Sequence, residues 1–205
     1  MNILLYALIV FLSYLLGCSN MALYVSKLKG VDMRAAGSRN LGASNAMVLM
    51  GWRFGVLVGI HDIGKAVLAV VLARHFGGEL PFISAAAGVA CVLGHIFPFY
   101  LRFKGGKGFA SYLGMTLALN WRFALIVLLI VVLVTLISDY IVVGTVTTVL
   151  IVPAYMAFTG SLLLSAILSL ATVAILYKHR ENFLHIYKGT EIGLRRAHRG
   201  DDRQT

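Results

Sequence analysis

The chain has 205 residues, of which 60% are hydrophobic and only 13% are charged. Soluble domains carry about 25% charged residues, so this composition excludes a protein whose whole surface faces water. The charges that remain are mainly basic, with 18 Lys+Arg against 8 Asp+Glu and a net charge of +10. Together these values indicate a polytopic membrane protein with basic loops, and they exclude nucleic-acid binding as the reason for the positive charge.

The apolar residues lie in blocks separated by short polar segments, and each block predicts a helix. In chain order the blocks are 3–25, 54–73, 80–101, Phe109–Leu119, 123–137, 140–158 and 161–177. A spanning helix needs about 20 apolar residues, and most blocks meet or approach that length. The exception is Phe109–Leu119, because at about 1.5 Å per residue it covers only about half of a bilayer core.

The cations predict the orientation of these helices. If all the blocks cross the membrane and the N-terminus is outside, the loops 26–53 and 102–108 and the tail from Lys178 lie on one face. That face then holds most of the 18 Lys+Arg, and the positive-inside rule makes it cytoplasmic. We predict an all-α polytopic membrane protein with seven transmembrane helices, its N-terminus outside and its C-terminus cytoplasmic. Residues 1–205 form a single domain that ends in a basic tail, 192–205.

The first block contains Leu15-Leu16-Gly17-Cys18, which superficially resembles a lipoprotein cleavage site. No Lys or Arg precedes the apolar run, whereas a signal peptide needs that positive region. We therefore interpret the block as a retained helix. Cys18 and Cys91 both have apolar neighbours in sequence, which indicates buried, inert thiols rather than a disulfide framework.

Two clusters of polar residues come early in the chain. Segment 37–45 reads GSRNLGASN, whose small residues and amides offer hydrogen-bond donors, although on these residues alone a loop followed by a helix N-cap is the favoured interpretation. Asp62 and Lys65 lie within the second block, three residues apart, so on a helix they share a face and can neutralise each other. A structural ion pair is one interpretation, and a pair that faces a polar cavity is the other.

Segment 94–108 ends in Lys104-Gly105-Gly106-Lys107-Gly108, directly before the short block. Glycines let the backbone approach a ligand, successive N–H groups bind anions, and a helix N-terminus favours negative charge. The spacing is not that of a Walker A loop. A loop whose lysines contact lipid headgroups would explain the lysines but not the interleaved glycines, so the segment predicts a phosphate site.

Segment 179–191 follows the last block at once and therefore lies at the membrane interface. Its residues, HRENFLHIYKGTE, include His179, Asn182 and Glu191. By itself this segment is well explained as a basic tail whose side chains reach out of the membrane.

Taken together, GSRNLGASN, GHIFPFYLRFKGGKGFAS and HRENFLHIYKGTE resemble the PlsY-type acylphosphate:glycerol-3-phosphate acyltransferases. The pair Asp62 and Lys65 resembles the intramembrane DxxK element of that family, and the resemblance covers nearly the whole chain. It implies a multi-pass enzyme of the bacterial inner membrane with a cytoplasmic active face. Its partners are acyl phosphate, glycerol 3-phosphate and membrane lipids. The reaction yields lysophosphatidic acid and phosphate, the opening step of phospholipid synthesis. No metal, organic cofactor or nucleic acid is implied. We expect the chain to act as a monomer.

The resemblance also implies roles for individual residues. The catalytic residues are Ser38, Lys104, His179 and Asn182. The substrate-binding residues are Asn40, Asn45, Gly105, Gly106, Lys107, Gly108, His95, Asp62 and Lys65. Glu191 has a structural role. Phosphate is a good leaving group, so positioning and stabilisation of the oxyanion supply most of the acceleration.

Three positions depart from the usual pattern of the family. Arg39 stands where the family usually has glycine, and Val48 and His185 stand where it usually has arginine. These departures leave open a divergent paralogue that acylates another phosphorylated polyol. A non-catalytic membrane protein that binds anions or lipids, or a transporter, is a further alternative. The chain shows no internal repeat, which many transporters have.

Overall fold

The computed structural model describes residues 2–191 and 193–195. This part of the chain contains nine α-helices and one short 3-10 turn, Phe99–Leu101. The helices are α1 (Asn2–Cys18), α2 (Met21–Lys29), α3 (Ala43–Met50), α4 (Trp52–Gly77), α5 (Ile83–Ile96), α6 (Phe109–Leu119), α7 (Trp121–Ser138), α8 (Ile141–Phe158) and α9 (Leu162–Tyr187). The predicted all-α architecture is confirmed. The predicted basic tail lies outside the described residues, apart from 193–195.

Six helical segments of the described chain are long and apolar enough to cross a membrane. They are Ile3–Lys29, Trp52–Gly77, Ile83–Leu101, Trp121–Ser138, Ile141–Phe158 and Leu162–Tyr187. Helix α6 is apolar but has only 11 residues, as the sequence predicted. Many large apolar side chains on these helices are exposed, among them Leu129 and Leu133 on α7. Such a surface suits lipid rather than water, so the chain is an integral membrane protein.

Three of the helices predicted from hydropathy differ clearly in the structure. The third block, 80–101, forms a helix only over Ile83–Ile96, and Pro98 and the 3-10 turn Phe99–Leu101 follow it. The first apolar block is not one helix, because it breaks between Cys18 and Met21, where Asn20 caps α2 by accepting a bond from Leu23 N–H at 2.9 Å. Helix α9 continues to Tyr187, ten residues past the predicted end at 177. Hydropathy marks where a helix leaves the apolar phase, whereas the helix itself continues as long as its backbone bonds do.

The chain divides into two compact units, Met1–Trp121 and Arg122–Thr205. In the first unit α5 packs against α1, and α4 packs against α3, α5 and α6. Small residues allow these close approaches: a Cβ on Gly94 of α5 would lie 3.0 Å from the backbone nitrogen of Cys18, and one on Gly114 of α6 would lie 2.9 Å from Cα of Ile63. Glycine at such contacts is typical of packed membrane helices. The single-domain organisation stays a prediction.

In the second unit α8 packs against α9. Pro153 lies inside α8 and has no N–H for the carbonyl of Val149, four residues earlier. The Thr172 hydroxyl of α9 donates to that carbonyl at 2.7 Å, and the Ser165 hydroxyl donates to the carbonyl of Pro153 at 2.8 Å. Side chains of one helix therefore satisfy backbone groups of the other, as a spanning segment requires in lipid.

Candidate functional site

A buried polar cluster lies where α4 packs against α5. Asp62 and Lys65, both on α4, form an ion pair with 2.8 Å between Oδ1 and Nζ. His95 on α5 joins them, with its Nδ1 2.8 Å from the Lys65 Nζ and 3.3 Å from the Asp62 Oδ1. The three residues are at most 4% exposed. Because an ammonium group only donates, Nδ1 of His95 accepts the bond from Lys65. The ion pair expected from the i, i+3 spacing is present.

The break between α1 and α2 supplies the remaining hydrogen-bond partners of this cluster. Lys65 Nζ donates a third bond, of 2.7 Å, to the carbonyl of Ser19, so all three ammonium protons have an acceptor. The Ser19 hydroxyl lies 3.0 Å from Nε2 of His61, whose Nδ1 lies 3.4 Å from Asp62 Oδ1. Ser19 and His61 were not among the site residues predicted from the sequence. The signals that could have found them were the polar pair Ser19-Asn20 inside an apolar block and the position of His61 directly before Asp62.

The glycine-rich loop that follows α5 is anchored to the same cluster through its backbone. Gly106 N–H donates to the carbonyl of His95 at 3.2 Å, and Gly105 N–H donates to that of Ile96 at 3.0 Å. The sequence predicted that these N–H groups would bind an anion, but both of them already donate to carbonyls within the protein. The donors without an intrahelical acceptor are instead those in the first turn of α6.

The two glycines are required by packing. A Cβ on Gly106 would overlap the ring of His95 and lie 2.8 Å from the carbonyl oxygen of Leu41. A Cβ on Gly105 would lie 2.6 Å from Cδ of Pro98. Close backbone approach at these positions is therefore to the protein itself, so both glycines shape the loop, and the substrate contacts predicted for them stay a prediction.

The start of α6 carries the groups best placed to meet an anion. Gly108 precedes the helix in the left-handed conformation, with a φ of 89°. Lys104 is exposed and Lys107 is half-buried. In the first turn, the Ser111 side chain is fully buried, and its hydroxyl has no hydrogen-bond partner among the described residues. Ser111 was not among the site residues predicted from the sequence.

The segment 37–45 is organised around Asn45, which is 2% exposed. Its Nδ2 donates to the carbonyls of Met33 and Asn40 at 3.0 Å and to that of Ala36 at 3.3 Å, while its Oδ1 accepts from Ser38 N–H at 2.9 Å. Both polar groups of this amide are used inside the protein. Asn45 therefore holds the loop in shape, and the substrate contact predicted for it stays a prediction.

Other members of this segment face outward. Ser38 is exposed and Asn40 is half-buried, so both side chains are accessible. Arg39 is also exposed and has a φ of 55°, in the left-handed region that favours glycine. Val48 on α3 is 77% exposed and brings no charge to this surface. Helix α3 is preceded by Gly42, which makes no side-chain cap bond, rather than by the predicted Ser or Asn cap.

The remaining predicted residues belong to the second unit and lie on or just beyond α9. His179 is buried, and its Nδ1 donates to the carbonyl of Ile175 at 2.8 Å, which places a proton on that nitrogen. Asn182 Nδ2 donates to Glu191 Oε1 at 2.6 Å. This bond ties the segment after α9 back to the helix.

The first unit thus presents Lys104 and Lys107 beside a helix N-terminus, over a buried frame that fixes the loop. Such an arrangement can hold a phosphate and stabilise negative charge that develops on a reacting group. Among residues 2–191 and 193–195, no group of three or more His, Cys, Asp or Glu side chains is arranged to hold a metal ion.

Comparisons with known proteins give one consistent result. The family model of glycerol-3-phosphate acyltransferase matches residues 7–189. The glycerol-3-phosphate acyltransferase 1 of Oceanobacillus iheyensis is 34% identical over 92% of this chain and 95% of its own length. The glycerol-3-phosphate acyltransferase of Prochlorococcus marinus is 36% identical over 90% of this chain and 95% of its own.

Two solved structures are similar as well. Both are of PlsY, an integral membrane glycerol 3-phosphate acyltransferase, and both are 31% identical to this chain over 92% of its length. The glycerol 3-phosphate form has a TM-score of 0.86 and is covered over 95% of its length. The lysophosphatidic acid form has a TM-score of 0.82 and is covered over 94%.

Proposed function

Because the chain belongs to the glycerol-3-phosphate acyltransferase family, we propose that it transfers a fatty acyl group from acyl phosphate to the 1-hydroxyl of sn-glycerol 3-phosphate. The products are lysophosphatidic acid and phosphate. The observation that carries this proposal is the family match over residues 7–189. The family and the acyltransferase class predicted from the sequence are confirmed.

The chemistry of the first unit supports this reaction. The hydroxyl oxygen of the acceptor attacks the carbonyl carbon of acyl phosphate, the bond from that carbon to the phosphate oxygen breaks, and the phosphate leaves with the hydroxyl proton. Lys104, Lys107 and the N–H groups in the first turn of α6 hold phosphate, and the accessible side chains of Ser38 and Asn40 orient the reacting groups. Positioning and electrostatic stabilisation then supply most of the acceleration.

His179 and Asn182 are assigned to the same reaction. Their support is the family resemblance of segment 179–191, together with the bonds that fix both side chains. The bond between Asn182 and Glu191 gives Glu191 a positioning role. Asp62, Lys65 and His95 act beneath the glycine-rich loop as positioning residues, because their bonds end on one another, on His61 and on the backbone.

The location of the reaction follows from charge. We place seven helices across a bacterial inner membrane, with α6 as the shortest, the N-terminus outside and the C-terminus cytoplasmic. The basic loops and segments 37–45, 94–108 and 179–191 then share the cytoplasmic face, where the positive-inside rule puts them and where soluble glycerol 3-phosphate is available. The protein works there as a monomer.

The direct test is turnover by the purified full chain. Acyl phosphate and glycerol 3-phosphate are supplied together, and lysophosphatidic acid and released phosphate are measured in equal amounts. The protein from Oceanobacillus iheyensis serves as a parallel control, and Lys104→Ala as the variant expected to lose turnover. A folded chain that forms no lysophosphatidic acid while the control does would contradict the proposal.

A second candidate function differs only in the acceptor. It is favoured by Val48, an exposed uncharged residue at the position where the family resemblance predicts arginine. Product mass spectrometry with a panel of polyol phosphates separates the two candidates, since only the second predicts a product other than lysophosphatidic acid as the main one. Val48→Arg is the complementary variant: a lower KM for glycerol 3-phosphate would show that the missing cation limits acceptor binding.

A further inference from the structure

A basic cavity lies beside the glycine-rich loop of the first unit. It has a volume of about 390 Å³ and is lined by Arg34, Tyr100, Leu101, Arg102 and Lys104. Three of these residues are cationic, and none of the described residues lining the cavity is acidic. Arg34 comes from the loop between α2 and α3, whereas the other cations come from the turn before α6. Two distant segments of the chain therefore bring like charges to one small space.

The cations of this cavity are not neutralised within the described part of the protein. The side chains of Arg34, Arg102 and Lys104 form no hydrogen bond or ion pair with a described residue. The nearby carboxylate of Asp32 accepts a bond of 2.9 Å from the backbone N–H of Arg34 rather than from its guanidinium group. Like charges held together without a counter-charge repel each other, and a bound anion would remove that repulsion.

The turn that carries two of these cations is strained. Arg102 and Phe103 are consecutive residues with φ values of 53° and 61°, a left-handed region that is sterically unfavourable for residues other than glycine. The turn is held by bonds from Phe103 N–H to the carbonyl of Pro98 and from Lys104 N–H to that of Leu101, each 3.1 Å long. Strain of this kind persists where the surroundings enforce it, and it clusters at ligand sites.

Val48 brings no positive charge to the site, where the family usually has arginine, whereas the residues of this cavity do. We propose that Arg34 and Arg102, together with Lys104, bind the phosphate group of the soluble polyol-phosphate acceptor. This inference rests on the proposed function and makes Arg34 and Arg102 determinants of acceptor affinity. Guanidinium groups suit the task because their planar donors match two phosphate oxygens at once.

The test measures steady-state kinetics of the full chain in nanodiscs of neutral phosphatidylcholine. In Arg34→Gln and in Arg102→Gln, the KM for glycerol 3-phosphate is expected to rise about tenfold, the scale of one lost charged hydrogen bond. The KM for acyl phosphate and the melting temperature should stay unchanged. Arg53→Gln is the matched control, because Arg53 is an exposed arginine that lies over the ring of Trp52 and lines no part of the cavity. An unchanged KM for glycerol 3-phosphate in both variants would overturn the proposal.

Arg102→Gly tests the loss of the guanidinium charge without adding backbone strain. Glycine is comfortable at a φ of 53°, so this variant keeps the turn but loses the cation. It should show the same rise in KM as Arg102→Gln, whereas a wild-type KM would show that the guanidinium group does not bind the acceptor.

Two further arms identify the source of the phosphate and separate this inference from the proposed function. If the variants changed only the response to nanodiscs containing phosphatidylglycerol, the cavity would bind lipid headgroups and the proposal would be wrong. If the wild-type chain formed no product, binding of glycerol 3-phosphate would be measured by calorimetry. Binding by wild type that both glutamine variants weaken would still support the cavity assignment, and equal binding by all three proteins would overturn it.

Discussion

Removal of the Lys65 ammonium group is expected to be among the most destabilising single changes in the first unit. In Lys65→Met the side-chain length is kept while three bonds of 2.7–2.8 Å, to Asp62, His95 and the carbonyl of Ser19, are lost. The carboxylate of Asp62, which is 2% exposed, is then left in the interior without its nearest cation. Breaking a buried ion pair by removing one partner costs about 3–5 kcal/mol.

That cost is large compared with the stability of a typical protein, about 5–15 kcal/mol. For a chain of this length each kcal/mol lowers the melting temperature by about 2–4 °C, so we expect a drop of roughly 6–20 °C for Lys65→Met. The two cysteines provide the assay, because Cys18 and Cys91 are both free and buried. A thiol-reactive fluorophore therefore reports unfolding of the purified protein in detergent as temperature rises.

Two variants make this test specific. Lys27→Met, at an exposed lysine of α2, should change stability by less than about 0.5 kcal/mol. The double variant Asp62→Leu with Lys65→Met removes both charges and should recover much of the loss, because an apolar replacement of a whole buried pair is often neutral. A Lys65→Met protein with a wild-type melting temperature, or a double variant less stable than the single one, would refute the reasoning.

Three further changes test the loops. Gly106→Ala should lower the free energy of unfolding by about 1–3 kcal/mol and reduce turnover, because the new Cβ overlaps the ring of His95. The control is Gly64→Ala, whose Cβ meets nothing within 4 Å and should not destabilise the protein. Equal melting temperatures of the two variants would contradict a packing role for Gly106. Arg39→Gly should raise the free energy of unfolding by about 1 kcal/mol, since glycine suits its left-handed backbone; no gain in thermal denaturation would argue against strain there. In Asn45→Ala the free energy of unfolding should fall by about 1–3 kcal/mol for each buried carbonyl left unpaired. Asn40→Ala should instead lower turnover with little change in melting temperature.

Hydropathy was sufficient for the helices because a long apolar segment in lipid must satisfy its backbone bonds internally. The same reasoning could not place the break between α1 and α2. That break is stabilised by distant partners: the carbonyl of Cys18 accepts from the Tyr100 hydroxyl at 2.8 Å, and the carbonyl of Ser19 accepts from Lys65. A local pattern does not contain bonds that join residues so far apart in the chain.

Among the site residues, too, a local pattern predicts some contacts, and the fold alone brings the others together. The spacing of Asp62 and Lys65 on a helix predicts their ion pair, because residues three apart are neighbours. The third member, His95, lies 30 positions beyond Lys65, and only the packing of α4 against α5 brings it there. The role of Asn45 was hidden for a similar reason, since its bonds depend on the path that the loop takes back over α3.

The departures at Arg39 and Val48 carry different physical meanings. The left-handed backbone of Arg39 suits the glycine that is usual at that position, so the arginine stands there at a conformational cost. Val48 carries no such cost, because its side chain is largely exposed and a surface helix tolerates either residue. The fold of this region is fixed by buried residues such as Asn45 and Leu41, which neither departure disturbs. What changes is the charge near the site, and on our proposal acceptor binding draws instead on the exposed cations Arg34 and Arg102, which line the cavity beside the glycine-rich loop.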